Sequence, residues 1–533
     1  MNPDPPRAVL LRVQRILAPR PVPGEAVLFR DGRVAAIGAL GDLRAAAPDA
    51  EVIDLPGCTL TPGLTDAHVH LIEWALSLRR AALGHARSAA EAAALAAAHA
   101  AAHAAPAPAL SASAGWVLGG GWEPGAWPDR PHRRLLDDLL PGRPVLLRSH
   151  DLHSVWASGE ALRRAGIDAG TADPPGGSIE RGPDGAPTGL LRENAQQLVL
   201  SAAPAPTEGD RRAAALEAQS ALHRLGITGV HSVEPDSLGV FEALRAAGGL
   251  RLRILQALPL AALDDALRLG LRSGFGGEWI RIGGIKMFLD GALGSLTALL
   301  REPYEGSDDR GVSTLDPAAF RDAVRRGSSG GLAMTVHAIG DAAVDLALDV
   351  LPEEGRALDG PVPHRIEHVQ LVAPDRLGAA GAAGIVCSVQ PSHLMTDWRA
   401  ADRHWGARAR TAYAFRSLAA GGATLAFGSD MPVEPPDPRS GLYAAVTRTD
   451  LAGEPAGGWF PQERVSPAAA LDAYTVGAAR AAGDPGQGRL RPGSFADAVA
   501  WDRDPLAVAP ESLLELRCML TVVGGHVVWR EQG

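Results

Sequence analysis

A chain of 533 residues is too long for one small core, and predicts either three or four domain-sized units or one large barrel with additions. Its 46% hydrophobic and 21% charged residues exclude a disordered polymer, and a formal net charge of -10 argues against nucleic acid or an anionic membrane as the main partner. Cys58, Cys387 and Cys518 lie far apart, without metal-ligand spacing or a disulfide framework, which suits a reducing compartment.

The N-terminal stretch MNPDPPRAVLLRVQRIL carries Asp4 among prolines, and Arg12 and Arg15 break its apolar run, so no secretory leader is expected. Other apolar runs are cut by Arg, Asp or Gly well before a span of about 18 to 20 residues. A cytoplasmic protein outside the membrane is the expectation.

Residues 8–60 read as short strands with turns: AVLLRVQRIL, then EAVLFRDGRVAAIG with a hairpin signal at Asp31-Gly32, then EVIDLPGCTLTPG. The far C-terminus has the same texture in FADAVAWD and CMLTVVGGHVVWR, which turns through Gly524-Gly525. Both ends therefore predict one β-sandwich domain, residues 1–60 plus 488–533.

Between them, residues 61–487 alternate strand-like and helical segments. GITGVHSV, RIGGIKMFLDG, LAMTVHAIGD, HRIEHVQL, GIVCSVQP and ATLAFGSD each run to Gly, Asp, His or another polar end between Ala/Leu/Arg-rich stretches. That rhythm predicts an α/β fold with a parallel sheet. Polar residues at the C-terminal strand ends suit a distorted (β/α)8 barrel of the TIM type. Residues 75–205 fit the rhythm less well and read as an insertion after the first barrel strand. They hold the Ala-rich helix HARSAAEAAALAAAHAAAHAA and the segment GGGWEPGAWPDRPHRR.

TLTPGLTDAHVHL places His68 and His70 two residues apart behind an apolar run. On a strand such residues point to the same side, so both imidazoles converge on a metal ion, on buried acceptors or on water. His337 in TVHAIGD, His368 in RIEHVQ, Asp430 in FGSD and His231 in GVHSV sit at other strand ends. Imidazole and carboxylate ligands of that mix suit zinc or another first-row divalent ion. Lys286, in GGIKMFLDG, is costly to bury as an ammonium. It is either a snorkelling lysine or an uncharged amine able to add carbon dioxide and become a metal-bridging carbamate.

The order His-x-His, Lys, His, His, Asp, each after a strand-like run, resembles the amidohydrolase superfamily. The similarity is closer to its amidohydrolase 3 branch, which includes N-substituted formamide deformylases. PGLTDAHVHL, GWEPGAWP, GGSIERGPDGAPTGLLRENA, KMFLDGALGS, VHAIGD, RIEHVQ, QPSH, FGSDMPVEP and RPGSFADAVAWDRDP carry the resemblance through most of the chain. It implies one or two divalent ions per chain, zinc foremost. His68 and His70 would bind the more buried ion. Lys286, as N6-carboxylysine, would bridge to a second ion held by His337 and His368. Asp430 would ligate the first ion and act as the catalytic proton shuttle. The implied reaction on a small-molecule substrate is hydrolysis of a non-peptide C–N bond, as in an N-substituted formamide or N-acyl amine. Alternatives are hydrolysis of an ester, lactone or cyclic amide, or a non-catalytic scaffold. A homodimer is a further expectation from the resemblance.

The chain departs from the family pattern in places. His337-Ala-Ile-Gly-Asp lacks the Glu of deaminase-like relatives, Met431 stands where Trp is frequent, and Ala157-Ser158 replaces a typical Asn. Trp122, His153, Asp290 and Met431 are candidate substrate contacts, with Trp127, His150 and Ser295 weighed beside them. Asp341 and Glu367 are candidates for orienting ligand imidazoles. Gln390 and His393 lie in a segment that could face the site and are left out of the candidate set. His99 and His103 read as incidental.

Overall fold

The computed structural model describes residues 8–102, 115–122, 127–149 and 154–532. Two compact units emerge: one of Met1–Leu71 with Gln219–Gly533, the other of Ile72–Ala218.

The first unit is built on eight parallel strands in chain order: β1 (Leu64–Val69), β2 (Ile227–Ser232), β3 (Arg253–Pro259), β4 (Ile280–Phe288), β5 (Met334–Ala338), β6 (Arg365–His368), β7 (Val386–Val389) and β8 (Thr424–Phe427). Short strands such as RIEH and VCSV are buried at every position, as strands covered on both faces require. Helices return the chain between them, with explicit caps. Asp316, for example, accepts from the amides of Ala318 and Ala319 to start Pro317–Ser329, whose first residue is the proline. A parallel bridge between Val69 and Met431 carries the pairing from β8 back to β1. This is the expected distorted (β/α)8 barrel.

Closure brings two backbones unusually near. A Cβ on Gly428 would lie 2.6 Å from the amide nitrogen of His68 and 2.9 Å from Asp66 Oδ1, so only glycine fits. Asp66 fastens the same seam, accepting from Ser429 N at 2.9 Å and Ser429 Oγ at 2.6 Å.

Both chain ends meet in a second sheet. Strands Val9–Leu17, Ala26–Arg30, Arg33–Gly38 and Glu51–Pro62 join Ala498–Trp501, Cys518–Val523 and His526–Arg530. Val9, Leu11, Val13, Phe29 and Leu60 share one core with Ala498, Leu520 and Val522, while Leu10 and Leu28 pack with Leu43 on the opposite face. That is the expected β-sandwich from both termini. Arg253 on β3 pairs through two bonds with Asp497 and lies 3.6 Å from the Phe495 ring centroid; Asp497 also accepts from Gly524 N.

The second unit has its own six-stranded sheet and an alanine- and tryptophan-rich core. Trp122 belongs to that core at 1% exposure, donates its indole N–H to the Leu147 carbonyl and stacks on Trp127. Its side chain is thus committed to packing within this unit rather than to a pocket wall. No helix among the described residues is long and apolar enough to cross a membrane.

Candidate active site

The ionisable side chains gather at the C-terminal ends of the barrel strands. His68 and His70, leaving β1, both turn their Nε2 atoms to Asp430 Oδ1 at 3.4 Å. The i, i+2 spacing therefore produces convergence, as strand geometry requires. Lys286 on β4, His337 on β5 and His368 on β6 complete the arc. The His368 ring centroid lies 4.8 Å from that of His68 and 4.5 Å from that of His337.

Backbone strain aims two of these residues. His368 has φ +71° and Asp430 φ +61°, a left-handed conformation that L-residues avoid. Such positions cost on the order of 1–3 kcal/mol each and persist only where the surroundings enforce them. Here the enforcement includes a hydrogen bond from Asp430 N to the His68 carbonyl at 2.8 Å.

Three of the imidazoles have one ring nitrogen held from outside. His68 Nδ1 donates to Glu367 Oε2 at 2.5 Å, His337 Nε2 to the Gly291 carbonyl at 3.0 Å, and His368 Nδ1 to Gln390 Oε1 at 2.8 Å. Each bond fixes a neutral tautomer and leaves the other nitrogen unprotonated and free to ligate, the arrangement found behind metal-bound histidines. Glu367 is in turn held by Arg365, which also donates to Ser388 Oγ, to the Ala67 carbonyl and to His231 Nδ1. His231 thereby belongs to the charge network inside the barrel rather than to the ring around Asp430.

Burial sets the protonation states. It pushes His337 down to about 3, with Lys286 adding to the effect, and holds His68 and His368 below their ordinary range, so the imidazoles are neutral. Burial lowers the Lys286 ammonium to about 8, against the opposing pull of Glu367 and Asp430. For Asp430, burial opposes the charge, but His68, His70, His368 and His393 together outweigh it and keep the carboxylate ionised.

Among the described residues, His68, His368 and Asp430 form a group whose ligand atoms all lie within 4.8 Å of one another. Four buried polar atoms on residues near them have no hydrogen-bond partner: Lys286 Nζ, Gln390 Nε2, Gln370 Oε1 and His393 Nε2. This donor set fits a divalent cation: neutral nitrogens, one carboxylate and an uncommitted amine in one place.

The other candidates are held as follows. Asp290 is 1% exposed and accepts from the amides of Leu299, Ile339 and Gly340, so its carboxylate pins the β4 and β5 loops together, with Oδ1 3.5 Å from His337 Nε2. Met431 is wholly buried in the β8–β1 seam. Asp341 accepts from Arg301 N, leaving Glu367 as the carboxylate that orients an imidazole. Ser295 bonds to Thr297 Oγ1 in its own loop. His150 and His153 lie outside the described residues. Arg365 and Asp66 went unnoticed in the sequence, yet each shares strand parity with a noticed residue, Glu367 and His68 respectively. That alternation was the available signal.

A parallel eight-stranded barrel with its ionisable side chains at the C-terminal strand ends has the architecture of a barrel enzyme. The chain belongs to the amidohydrolase family, whose sequence model matches residues 51–529, and the protein is a hydrolase. It is 33% identical over 530 residues to Protein LONG AFTER FAR-RED 3 of Arabidopsis thaliana, covering 95% of this chain and 88% of that one. It is 28% identical over 532 residues to N-substituted formamide deformylase of Arthrobacter pascens, covering 96% and 95% of the two chains. Among solved structures, an uncharacterized metal-dependent hydrolase from Pyrococcus horikoshii OT3 superposes with a TM-score of 0.77 at 26% identity, covering 94% of this chain and 99% of that one.

Proposed function

We propose that the protein is a metal-dependent hydrolase that cleaves a non-peptide C–N bond in a small amide, an N-substituted formamide or N-acyl amine. The observation that carries this reading is the set of outward-tethered imidazoles, each leaving one unprotonated nitrogen, with the ligand atoms of His68, His368 and Asp430 within 4.8 Å of one another. Similarity over nearly the full chain to a protein named for deformylation of N-substituted formamides supports the amide class.

His68, His70 and Asp430 would hold one divalent ion, with zinc the natural choice for this donor set; His337 and His368 would hold a second. Such an ion supplies an acidified water and a polarised carbonyl when bound. Asp430, kept ionised by its histidine neighbours, accepts one proton from the attacking water on a carboxylate oxygen. It passes that proton to the nitrogen of the breaking C–N bond, so the products are a carboxylic acid and a neutral amine. Lys286 can bridge the two ions only as a carbamate. Its buried ammonium, lowered to about 8, would first give up one proton; the neutral amine would attack carbon dioxide through a new C–N bond and a second proton would leave to solvent, so that the cation becomes an anion.

Phe288, at the end of β4, is 48% exposed and its ring centroid lies 5.2 Å from that of His337. An apolar substituent on the substrate would cover it. The free, buried state of all three cysteines supports a cytoplasmic setting.

The test is a panel with the metal-loaded protein: N-benzylformamide and N-acyl amines, read by released amine, against esters, lactones and cyclic amides of matching size. Amine release that is abolished by Asp430→Asn is the expected result. Turnover confined to the esters or lactones would replace the amide assignment, and no turnover of any carbonyl compound would overturn the hydrolytic reading.

A further inference from the structure

The helix His393–Trp405 begins beside the site, and its first residue takes part in neither the metal set nor the proton shuttle described above. His393 is 6% exposed, its ring lies 6.2 Å from that of His368 and nearly parallel to it, and its Nε2 stands 3.8 Å from Asp430 Oδ2. That separation is too long for a hydrogen bond. Nε2 has no partner, although it is buried, and an unsatisfied buried donor costs on the order of 1–3 kcal/mol.

The other ring nitrogen decides what Nε2 can do. Gln370 Nε2 donates to His393 Nδ1 at 3.4 Å, so in the neutral ring Nδ1 is the acceptor and Nε2 carries the hydrogen. Gln370 follows two residues after His368, so the segment leaving the strand that supplies a ligand also sets this tautomer. A fixed N–H cannot receive a bond from a leaving amine; it can only donate, and the group it meets beside Asp430 must be an acceptor, which on a carbonyl substrate is the oxygen.

We propose that His393 is a catalytic residue whose Nε2–H donates a hydrogen bond to the substrate's carbonyl oxygen, with Gln370 as the positioning residue that sets its tautomer. This rests on the hydrolase reading above. It makes the site a reader of carbonyl and carboxylate oxygens. Donors of this kind act most strongly where charge gathers on the oxygen during attack, and removing one typically lowers turnover by about 100- to 1,000-fold.

Acetate, which presents the same oxygen as a hydrolysis product, is the probe. Its affinity for the metal-loaded protein is measured by calorimetry for wild type, His393→Phe and His393→Asn, with metal content per chain determined on each. His393→Phe keeps the ring and loses the donor, and should weaken acetate binding by about 10- to 100-fold. Metal content should not change, and His393→Asn should recover part of the affinity through its amide N–H. Gln370→Leu should fall between wild type and His393→Phe. Equal acetate affinity in wild type and His393→Phe overturns the proposal, as does metal-loaded wild type that binds no acetate. Loss of metal from His393→Phe also overturns it, by making the residue a support of the ligands. Failure of the hydrolase reading is seen separately, as wild-type protein that holds no metal.

Discussion

Replacing Glu367 by glutamine keeps the shape of the side chain and removes one acceptor, which isolates the role of the charge network. Glu367 is wholly buried; Oε1 receives Arg365 Nε, while Oε2 receives His68 Nδ1 at 2.5 Å and Arg365 Nη2 at 2.8 Å. Glutamine has one acceptor oxygen and one NH2 group for these two positions. If the oxygen stays with Arg365, the NH2 faces His68 Nδ1, and the ring must carry its proton on Nε2, the nitrogen turned to Asp430. If the oxygen turns to His68, the NH2 meets the guanidinium, donor against donor. Either way the Arg365 charge loses its counterion inside the barrel, which costs about 3–5 kcal/mol when one partner of a buried pair is removed. Loss of a partner behind a ligating imidazole lowers metal affinity by about 10- to 100-fold. Zinc affinity by chelator competition and thermal unfolding of the metal-stripped protein measure the two effects separately. Glu367→Gln with zinc affinity within about twofold of wild type and unchanged unfolding would refute the claim that this carboxylate sets the His68 tautomer.

Three further outcomes follow from the same geometry. Gly428→Ala drives a Cβ to 2.6 Å from the His68 amide nitrogen; overpacking of this kind costs about 1–3 kcal/mol, and the variant should lose metal as well as thermal stability, as elemental analysis and calorimetry will show. Asp497→Asn leaves Arg253 unpaired against Phe495 and withdraws the charge that Gly524 N bonds, so unfolding should become easier by about 3–5 kcal/mol while zinc affinity stays unchanged. His223, lowered by burial from 6.5 to about 4, makes the fold sensitive to acid far from the site. The unfolded chain takes up this proton first, so stability present above pH 6.5 is lost as pH falls toward 4, by up to about 3 kcal/mol. Urea unfolding of metal-stripped protein across that range should be flatter for His223→Gln than for wild type.

The ring around Asp430 was legible because its members sit in short local patterns. Each polar residue follows an apolar strand, and strand parity fixes the side it faces; His68, His70, Lys286, His337, His368 and Asp430 needed only their own neighbours to be noticed. Both chain ends declared themselves through alternation and the Asp31-Gly32 turn. What stayed hidden depends on partners remote in sequence. Glu367 meets His68 across 299 residues and Asp66 meets Ser429 across 363, so no window of sequence holds both members of either contact. Asp290 had the residue type and location of a substrate contact, but the amides that claim it arrive from the loops after β4 and β5. Trp122 was recognised as apolar and large; which core it would fill, the pocket wall or the interior of its own unit, is not written in residue type. Strand β3 escaped notice because Arg253, whose charge is matched by the remote Asp497, breaks its apolar texture.

The central claim is that Lys286, as a carbamate, joins two metal-binding halves of one site. Elemental analysis of metal per chain, on wild type and Lys286→Ala purified with bicarbonate throughout, tests it most directly. The account predicts about two divalent ions in wild type and one or fewer in the variant, as a shared bridging ligand requires. One ion in both would reduce the site to a mononuclear hydrolase with Lys286 in a structural role, and wild-type protein that holds no metal would contradict the account outright.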